Sequence, residues 1–273
     1  MSQYDSIGTR YDVIKTTSFN ELERFNFQKS VGPFLQQAET AVLDLACGTG
    51  FYSCLLLDWG AGSVTGVDLS ARMLAGAEAR LSQTRHAKRA RFVQGDGLAP
   101  KTYSASLDAF EVVTGAWFLN YAQDVNQLTC MFRTISTNLK SGGVFVGICF
   151  HPTDDVTALA SALHGGVWAE TGVCYRYREE LPGGIGYQVQ VFGLPQPGAP
   201  PSVKGVDFMC YHLKKCLYEE AARAGDMQGR LEWRSCEFLG EEWRREVGLD
   251  GNDEDWRRLQ ECPPLSILVV WKD

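Results

Sequence analysis

The sequence predicts an α/β protein built on a doubly wound, mostly parallel β-sheet, and three observations predict it. An apolar run at residues 41–43 enters a glycine-rich turn, and residues 51–57 continue with the composition of a helix. Strand-like runs and helical segments then alternate along the chain, which is the pattern of βαβ units. Aspartate stands at the end of the first three runs, as Asp44, Asp68 and Asp96. Parallel strands end at one edge of a sheet, where ligands bind in such folds, so these carboxylates are candidate ligand contacts.

Length and composition fit one globular domain with a sizeable core. The chain has 273 residues, 45% of them apolar, and a net charge of −7. This acidic balance disfavours a nucleic-acid partner, and no apolar run reaches the roughly 20 residues of a membrane span. The polar N-terminus lacks the apolar segment of a signal peptide. Nine scattered cysteines without a C-x-x-C pair indicate neither a metal nor a dithiol site. We therefore expect a cytoplasmic protein without a metal, a membrane partner or a nucleic-acid partner.

The first glycine turn has the features of a ligand-binding site. Gly48 and Gly50 let the backbone approach a ligand closely, and the helix that follows presents free N–H groups. A dinucleotide is one candidate ligand, but Ser53 stands where its G-x-G-x-x-G signature needs a third glycine. A cationic ligand is the other candidate, because Asp44 precedes the turn. Residues 44–50, DLACGTG, resemble motif I of the class I S-adenosylmethionine-dependent methyltransferases, whose acidic residue meets the cationic amino-acid end of the cofactor.

Two further strand ends extend this resemblance. Asp68 lies about 20 residues beyond the turn, where a carboxylate accepts both ribose hydroxyls of an adenosine, and residues 66–74, GVDLSARML, resemble motif II. Residues 95–97, GDG, resemble motif III, whose acidic residue, here Asp96, accepts from the adenine amino group. Each aspartate also has a local alternative, because Asp68 could cap the next helix and Asp96 could belong to a turn.

The N-terminal segment adds two candidate contacts. Residues 4–12, YDSIGTRYD, resemble a segment of many small-molecule methyltransferases that folds over the cofactor as part of a lid. The alternative is a surface helix with two aromatic side chains docked on the core. With residues 1–40 as a helical lid, the resemblance implies cofactor contacts from the following residues: Tyr4, Tyr11, Asp44, Ala46, Gly48, Gly50, Asp68, Leu69, Met73, Gly95, Asp96, Gly97 and Thr114.

The ends of the fourth and fifth predicted strands hold the candidate substrate contacts. Residues 114–121 follow the predicted strand 107–113 and resemble motif IV of the small-molecule branch. Trp117 and Tyr121 are either substrate-pocket aromatics or core anchors of the next helix. His151 directly follows the fifth predicted strand, at the ligand-binding edge, which makes it the best-placed general base in the chain. A lone histidine is usually structural, so both interpretations of His151 stay open.

The resemblance implies a seven-stranded sheet in the order 3-2-1-4-5-7-6 with an antiparallel last strand, in one domain. Residues 41–150 are the predicted cofactor-binding core. Residues 165–212 break the alternation of strands and helices with Pro- and Gly-rich turns, which predicts an antiparallel insertion on the substrate side. Residues 213–273 are predicted to supply a helix and strands that complete the sheet. The predicted strands of the insertion are residues 173–178, 187–192 and 206–211.

These features predict an enzyme that transfers a methyl group from S-adenosylmethionine to an O, N or S atom of a small molecule by in-line displacement. The sequence does not decide among the three atoms. Two alternatives remain: a methyltransferase-like protein that binds the cofactor without turnover and acts as a partner or regulator, and an NAD-dependent oxidoreductase. Ser53 and the otherwise unexplained Asp44 and Asp96 count against the oxidoreductase.

Overall fold

The computed structural model describes residues 2–37, 39–104, 110–163, 171–195 and 198–273. Helices α1–α9 of these residues are Tyr4–Ile7, Ser18–Val31, Phe51–Asp58, Ala71–Ser82, Val125–Asn138, Val156–Ala162, Lys215–Ala224, Glu241–Glu246 and Asp253–Glu261. Strands β1–β10 are Ala41–Leu45, Ser63–Asp68, Ala90–Gln94, Phe110–Ala116, Leu139–Cys149, Val173–Glu180, Gly186–Gly193, Val206–Leu213, Leu231–Ser235 and Ser266–Trp271. Short 3-10 helices cover Gly8–Thr16, Gly32–Phe34, Leu119–Tyr121 and Pro182–Gly184.

The main sheet has seven strands in the order β3-β2-β1-β4-β5-β10-β9. Strand β1 lies near its centre and pairs in parallel with β2 and β4. Strand β10 is antiparallel to both of its neighbours, β5 and β9. The predicted sheet order and the antiparallel last strand are therefore confirmed. The carboxyl ends of β1 to β5 meet at one edge, and the chain leaves each of them toward the site described below.

The alternation of side chains along β1 divides the core into two layers. Val42 faces one cluster of buried residues, which includes Phe27 and Leu56, while Leu43 and Leu45 face a second cluster around Phe132. Successive strand residues point to opposite faces, so a strand that is apolar on both faces is buried between layers of helices. This explains why every residue of β1 except Asp44 is apolar.

A second, three-stranded antiparallel sheet forms from β6, β7 and β8 in that order. It confirms the antiparallel insertion after the fifth strand, and its strands extend one or two residues beyond the predicted runs. Residues 165–170, the predicted start of this insertion, lie outside the described residues. The division of the chain into a lid, a core, an insertion and a C-terminal part remains a prediction.

Two element boundaries differ from the sequence prediction for physical reasons. Strand β4 continues to Ala116, three residues beyond the predicted end, because Ala116 still pairs with Ile148 of β5. Within the predicted helical lid of residues 1–40, α2 ends at Val31 and a 3-10 turn covers Gly32–Phe34, since Pro33 lacks the N–H that an α-helix needs. Residues 107–109, the predicted start of this fourth strand, lie outside the described residues.

None of the helices in the described ranges combines the length and the apolar character that a membrane crossing requires.

Candidate functional site

Three neighbouring cavities lie at the carboxyl ends of the parallel strands. The glycine-loop cavity includes Asp44 and Gly48 and measures about 570 Å³, the Asp96 cavity includes Asp96 and Leu69 and measures about 1120 Å³, and the aromatic cavity includes Phe19 and measures about 390 Å³, each with the space open to solvent. Tyr121 lines all three, so the cavities are adjacent parts of one site.

The loop after β1 is held in an uncommon backbone conformation. Ala46, Gly48 and Gly50 all have positive φ angles, of 55°, 55° and 74°. A side chain at Gly50 would place its Cβ 3.0 Å from the Cβ of Ala77 in α4, so the loop packs tightly on that helix. Trp117, just after β4, also has a positive φ of 65°. Such angles in non-glycine residues store strain and cluster at functional sites.

Asp44 lies at the base of the glycine-loop cavity and is 1% exposed. Its Oδ2 accepts from the Ser53 hydroxyl at 2.6 Å, and its Oδ1 accepts from the Thr114 hydroxyl at 2.9 Å. These bonds fix the carboxyl group in one orientation. Burial raises the pKa of Asp44 to about 6, although the two hydrogen bonds oppose this change. A cation in the cavity would favour the ionised form and lower the pKa again.

Asp68, at the end of β2, lies at the boundary between the glycine-loop cavity and the Asp96 cavity and lines both. Its Oδ2 accepts from the backbone N–H of Gly48 at 2.9 Å, and its Oδ1 accepts from that of Ser70 at 2.8 Å. Each carboxylate oxygen keeps a further lone pair for a ligand donor. Burial raises the pKa of Asp68 above its usual value. Asp68 is not the N-cap residue of α4, because Ser70 caps this helix by accepting from the N–H of Met73.

The Asp96 cavity combines polar and apolar groups at the ends of β2 and β3. Gly95, Asp96 and Gly97 line it together with Leu69, whose side chain is 53% exposed. The Asp96 side chain also accepts from the backbone N–H of Leu98 at 2.9 Å, as the turn alternative predicts. Asp96 therefore both stabilises the turn and lines the cavity. An exposed leucine beside a carboxylate suits a flat heterocycle that carries an amino group.

The N-terminal segment covers the glycine-loop cavity with two Tyr-Asp pairs. In each pair the tyrosine lines the cavity and the aspartate binds a neighbouring side chain. Tyr4 and Tyr11 line the cavity. Asp5 accepts from the Ser70 hydroxyl at 2.6 Å, and Asp12 accepts from the Thr49 hydroxyl at 2.6 Å. Arg80 of α4 adds an ion pair to Asp12 at 2.8 Å, with a further bond from its Nε to the Thr49 carbonyl at 3.0 Å. We call these contacts of Asp5 and Asp12 the aspartate clasp.

Lys15 is a site residue that the sequence did not reveal. It lines the glycine-loop cavity, and its side chain is only 7% exposed. Its Nζ lies 4.7 Å from the ring centre of Tyr52 and 3.5 Å from the Glu23 carboxylate. The only available signal was its spacing of four residues from Tyr11, which places two residues on one face of a helical segment. Lys15 thus gives the cavity that Asp44 also lines a nearly buried cation.

The aromatic cavity lies on the other side of Trp117 and Tyr121. Rings from the N-terminal segment, from the end of β5 and from the second sheet form its walls, including Phe19, Phe150 and Tyr175. The buried polar side chains that line it belong to Glu23 and Asn120, each 1% exposed. The indole Nε1 of Trp117 donates to the Glu23 carboxylate. Neither Glu23 nor Asn120 was predicted as a site residue.

Most of the predicted site residues line these cavities. They are Tyr4, Tyr11, Asp44, Ala46, Gly48, Asp68, Leu69, Met73, Gly95, Asp96, Gly97, Trp117 and Tyr121. Gly50 lies beneath the loop as the N-cap of α3. Thr114 is fully buried and contacts the site only through Asp44.

His151 is the predicted residue that the structure separates from the cavities. It directly follows Phe150 in the chain, and its backbone carbonyl accepts from the Nε2 of His212 at 3.0 Å. Its Nδ1 is buried without a hydrogen-bond partner among the described residues, and burial lowers the pKa of the imidazole. The described linings of the three cavities do not include His151. Its role as a general base remains a prediction.

Together, the cavities offer one elongated site with complementary parts. The glycine-loop cavity presents an anion and a cation, Asp68 presents hydrogen-bond acceptors at its boundary, and the Asp96 cavity presents a carboxylate and an apolar surface. This arrangement fits a ligand with a zwitterionic end, a pair of hydroxyl groups and a flat heterocycle. The aromatic cavity adjoins the zwitterionic part across Tyr11 and Trp117.

Comparison with known proteins agrees with this geometry. Residues 42–143 match the family described as "Methyltransferase domain". Over 151 residues the chain is 30% identical to the demethylmenaquinone methyltransferase of Thermus thermophilus, in an alignment that covers 55% of this chain and 64% of that protein. The chain thus spans less than two thirds of the length of this relative.

Solved structures share the whole architecture at low sequence identity. The PH0226 protein from Pyrococcus horikoshii superposes with a TM-score of 0.60 at 18% identity, and the match covers 100% of both chains. An S-adenosylmethionine-dependent methyltransferase from Clostridium acetobutylicum superposes with a TM-score of 0.57 at 16% identity, over 93% of this chain and 98% of the other. At such identities the likeness shows the fold.

Proposed function

We propose that this chain, whose residues 42–143 match the methyltransferase-domain family, transfers a methyl group from S-adenosylmethionine to a small molecule in the aromatic cavity. The observation that carries this proposal is the position of Asp68. It lines both the glycine-loop cavity and the Asp96 cavity, so a ribose held there joins an amino-acid tail on one side to a base on the other.

The residues present fit each part of the cofactor. Asp44 would hold its ammonium group, and Lys15 its carboxylate, because these are the buried anion and cation of the glycine-loop cavity. Asp68 would accept from the ribose hydroxyls through its remaining lone pairs. Asp96 would accept from the adenine amino group, and Leu69 would cover the face of the ring. The residue types match the chemistry of the ligand at every position.

The cofactor supplies an activated methyl group on a cationic sulfur. Tyr11, Trp117 and Tyr121 line the boundary between the glycine-loop cavity and the aromatic cavity, where their ring faces would favour this cation. The protein's own contribution is to position a nucleophile in line with the methyl group and to exclude water. The walls of the aromatic cavity serve that purpose, since they are formed mainly by rings and aliphatic side chains.

A small apolar or aromatic methyl-accepting substrate suits the aromatic cavity, because rings and aliphatic side chains form most of its lining. The name of the Thermus relative, demethylmenaquinone methyltransferase, also refers to a small organic molecule. Binding of the cofactor without turnover is the competing function, and it would leave the aromatic cavity without a methyl-accepting substrate.

Calorimetry and thermal unfolding with S-adenosylmethionine, S-adenosylhomocysteine and NAD test this proposal. We expect the first two to bind and to raise the unfolding temperature, since a ligand at 100 times its Kd stabilises a protein by about 2.7 kcal/mol. Asp68→Ala should weaken this binding at least about a hundredfold, because two hydrogen bonds to a carboxylate are lost.

Asp250→Ala, an exposed position in a loop between α8 and α9, is the matched control and should bind like the unmodified chain. The unfolding temperature of Asp68→Ala without ligand separates lost contacts from a damaged loop. Binding of NAD alone, or unchanged affinity in Asp68→Ala, would overturn the proposal. Binding without S-adenosylhomocysteine formation from a broad metabolite pool would favour the competing function.

A further inference from the structure

Asn120 carries a buried oxygen that nothing in the described structure satisfies. The residue lies in the 3-10 turn after β4, is 1% exposed and lines the aromatic cavity. Its Oδ1 has no hydrogen-bond partner among the described residues. Buried polar atoms are nearly always paired, because an unpaired one loses its hydration without compensation. A ligand donor in the cavity would supply the missing bond.

The orientation of the Asn120 amide is fixed by its other end. Its Nδ2 donates to the backbone carbonyl of Tyr211 at 3.4 Å. A carbonyl oxygen can only accept, so the flipped amide would bring two oxygens together. The amide therefore leaves its oxygen, and not its nitrogen, for a ligand. The cavity presents a hydrogen-bond acceptor at this point.

Glu23 gives the aromatic cavity a second acceptor and a negative charge. Its Oε1 accepts from Trp117, while its Oε2 accepts from Asn20 at 2.6 Å and from Tyr52 at 3.4 Å. Lys15 approaches the same oxygen from the glycine-loop cavity at 3.5 Å. The carboxylate is thus held in place by donors on several sides, and it faces a cavity whose remaining walls are mainly apolar.

The groups that line the aromatic cavity are poor at removing a proton. Burial raises the pKa values of the Tyr11, Tyr175 and Cys210 side chains, so all three are neutral at physiological pH. The Glu23 carboxylate is engaged by its donors. A hydroxyl substrate needs a base when it attacks, whereas a neutral amine carries its own lone pair and needs none.

We infer that the methyl-accepting substrate is a primary or secondary amine on a compact aromatic or apolar body, whose N–H donates to Asn120 Oδ1. This inference rests on the proposed function. The amine is an ammonium ion in neutral water, so it first gives one proton to water and reacts as the free base. Its nitrogen lone pair then forms a bond to the methyl carbon, the carbon–sulfur bond breaks, and its electron pair stays on sulfur as a neutral thioether. The nitrogen becomes an ammonium ion that later loses its proton to water. Glu23 and the surrounding ring faces stabilise the positive charge as it arrives in the cavity.

The test compares amines with alcohols of the same body in the full chain saturated with S-adenosylhomocysteine. The probes are benzylamine, 2-phenylethylamine and tryptamine against benzyl alcohol, 2-phenylethanol and tryptophol, measured by calorimetry. At least one amine should bind about tenfold more tightly than its alcohol. With S-adenosylmethionine, mass spectrometry should then find one added methyl group on that amine.

Variants at Asn120 separate its role from general packing. Asn120→Leu keeps the size but removes the acceptor oxygen, and it should weaken amine binding about tenfold while S-adenosylhomocysteine still binds. Asn120→Gln keeps an amide that can donate to the Tyr211 carbonyl and accept from a ligand, so it should retain amine binding even where the leucine variant fails to fold. Asn126→Leu, the same change at an exposed position of α5, should bind like the unmodified chain.

The outcomes distinguish this inference from the proposed function. Equal binding of amines and alcohols, an unchanged amine affinity in Asn120→Leu, or a tenfold loss of amine affinity in Asn120→Gln would overturn the amine assignment. So would binding of S-adenosylhomocysteine by a chain that takes none of the amines at millimolar concentration. A chain that does not bind S-adenosylhomocysteine at all would instead refute the proposed function.

Discussion

At the scale of single residues, the buried Asp44 carboxyl group couples ligand binding to pH. Its pKa of about 6 is raised by burial, and a bound cation should lower it. The proton and the cation therefore compete for the same group. We expect the affinity for S-adenosylmethionine to be highest near pH 7 and about tenfold weaker at pH 5, because each pH unit below the pKa of Asp44 costs about 1.4 kcal/mol. Calorimetry between pH 5 and 8 measures this.

Asp44→Asn is the control, because an amide does not titrate in this range. It should bind more weakly than the unmodified chain at pH 7.5 and show little change down to pH 5. An unmodified chain with the same affinity at pH 5 and pH 7.5 would contradict the coupling.

The site residues that were predicted from the sequence share a local sequence pattern. The site residues that were not predicted lack such a pattern. Asp44 and Asp68 stand where an apolar run ends, and glycine marks the turn beside them. Lys15, Glu23 and Asn120 instead reach the site through the packing of distant segments. Asn120, for example, bonds to a residue 91 positions away. No pattern within a short window of sequence indicates such a contact.

At the scale of elements, the aspartate clasp holds the N-terminal segment over the site. Asp12→Ala removes the ion pair to Arg80 and the bond from Thr49 together. We expect amide hydrogen exchange in the 3-10 segment Gly8–Thr16 to become faster, because the segment loses its tie to α4. Affinity for S-adenosylmethionine should fall about threefold to tenfold, since partly exposed contacts of this kind are individually weak.

Asp253→Ala provides the comparison, since it also removes an Asp–Arg ion pair, to Arg244, far from the site. It should alter neither the exchange of Gly8–Thr16 nor the affinity. If Asp12→Ala leaves that exchange unchanged, the clasp does not hold the segment.

Element boundaries that have a local sequence signal were predicted well. Boundaries that depend on pairing between strands were not. The start of α4 has a local signal, because Ser70 caps it through a bond to Met73, only three residues away. The end of β4 was placed too early, since Ala116 is kept in the strand by its pairing with Ile148 of β5. A strand boundary of this kind depends on the neighbour's length, which the local sequence does not contain.

At the scale of the whole molecule, β10 joins the parallel strands to the antiparallel edge. Leu268 lies in its middle, is fully buried and pairs with both β5 and β9. Leu268→Ala should lower the free energy of unfolding by about 2–5 kcal/mol, because a cavity remains where the side chain was. Urea denaturation measures the change.

Leu194→Ala, at a position that is 40% exposed, should change the same free energy by less than about 0.5 kcal/mol. Equal losses in the two variants would mean that the layers around β10 can relax to fill the gap. The sheet order itself was predicted from the family resemblance. The packing of the N-terminal segment against β8, where Gln3 exchanges two hydrogen bonds with the Met209 backbone, had no counterpart in any motif.

The contribution of the second sheet to the site has a consequence for how such proteins diverge. Residues of β6 and β7, such as Val173, Tyr175 and Val191, line the aromatic cavity and neither of the other two. Related proteins could therefore differ in these side chains, and so in the molecule that the aromatic cavity binds. The residues that line only the other two cavities would stay the same. In this architecture, a change of substrate would then require substitutions only on the β6 and β7 side of the aromatic cavity.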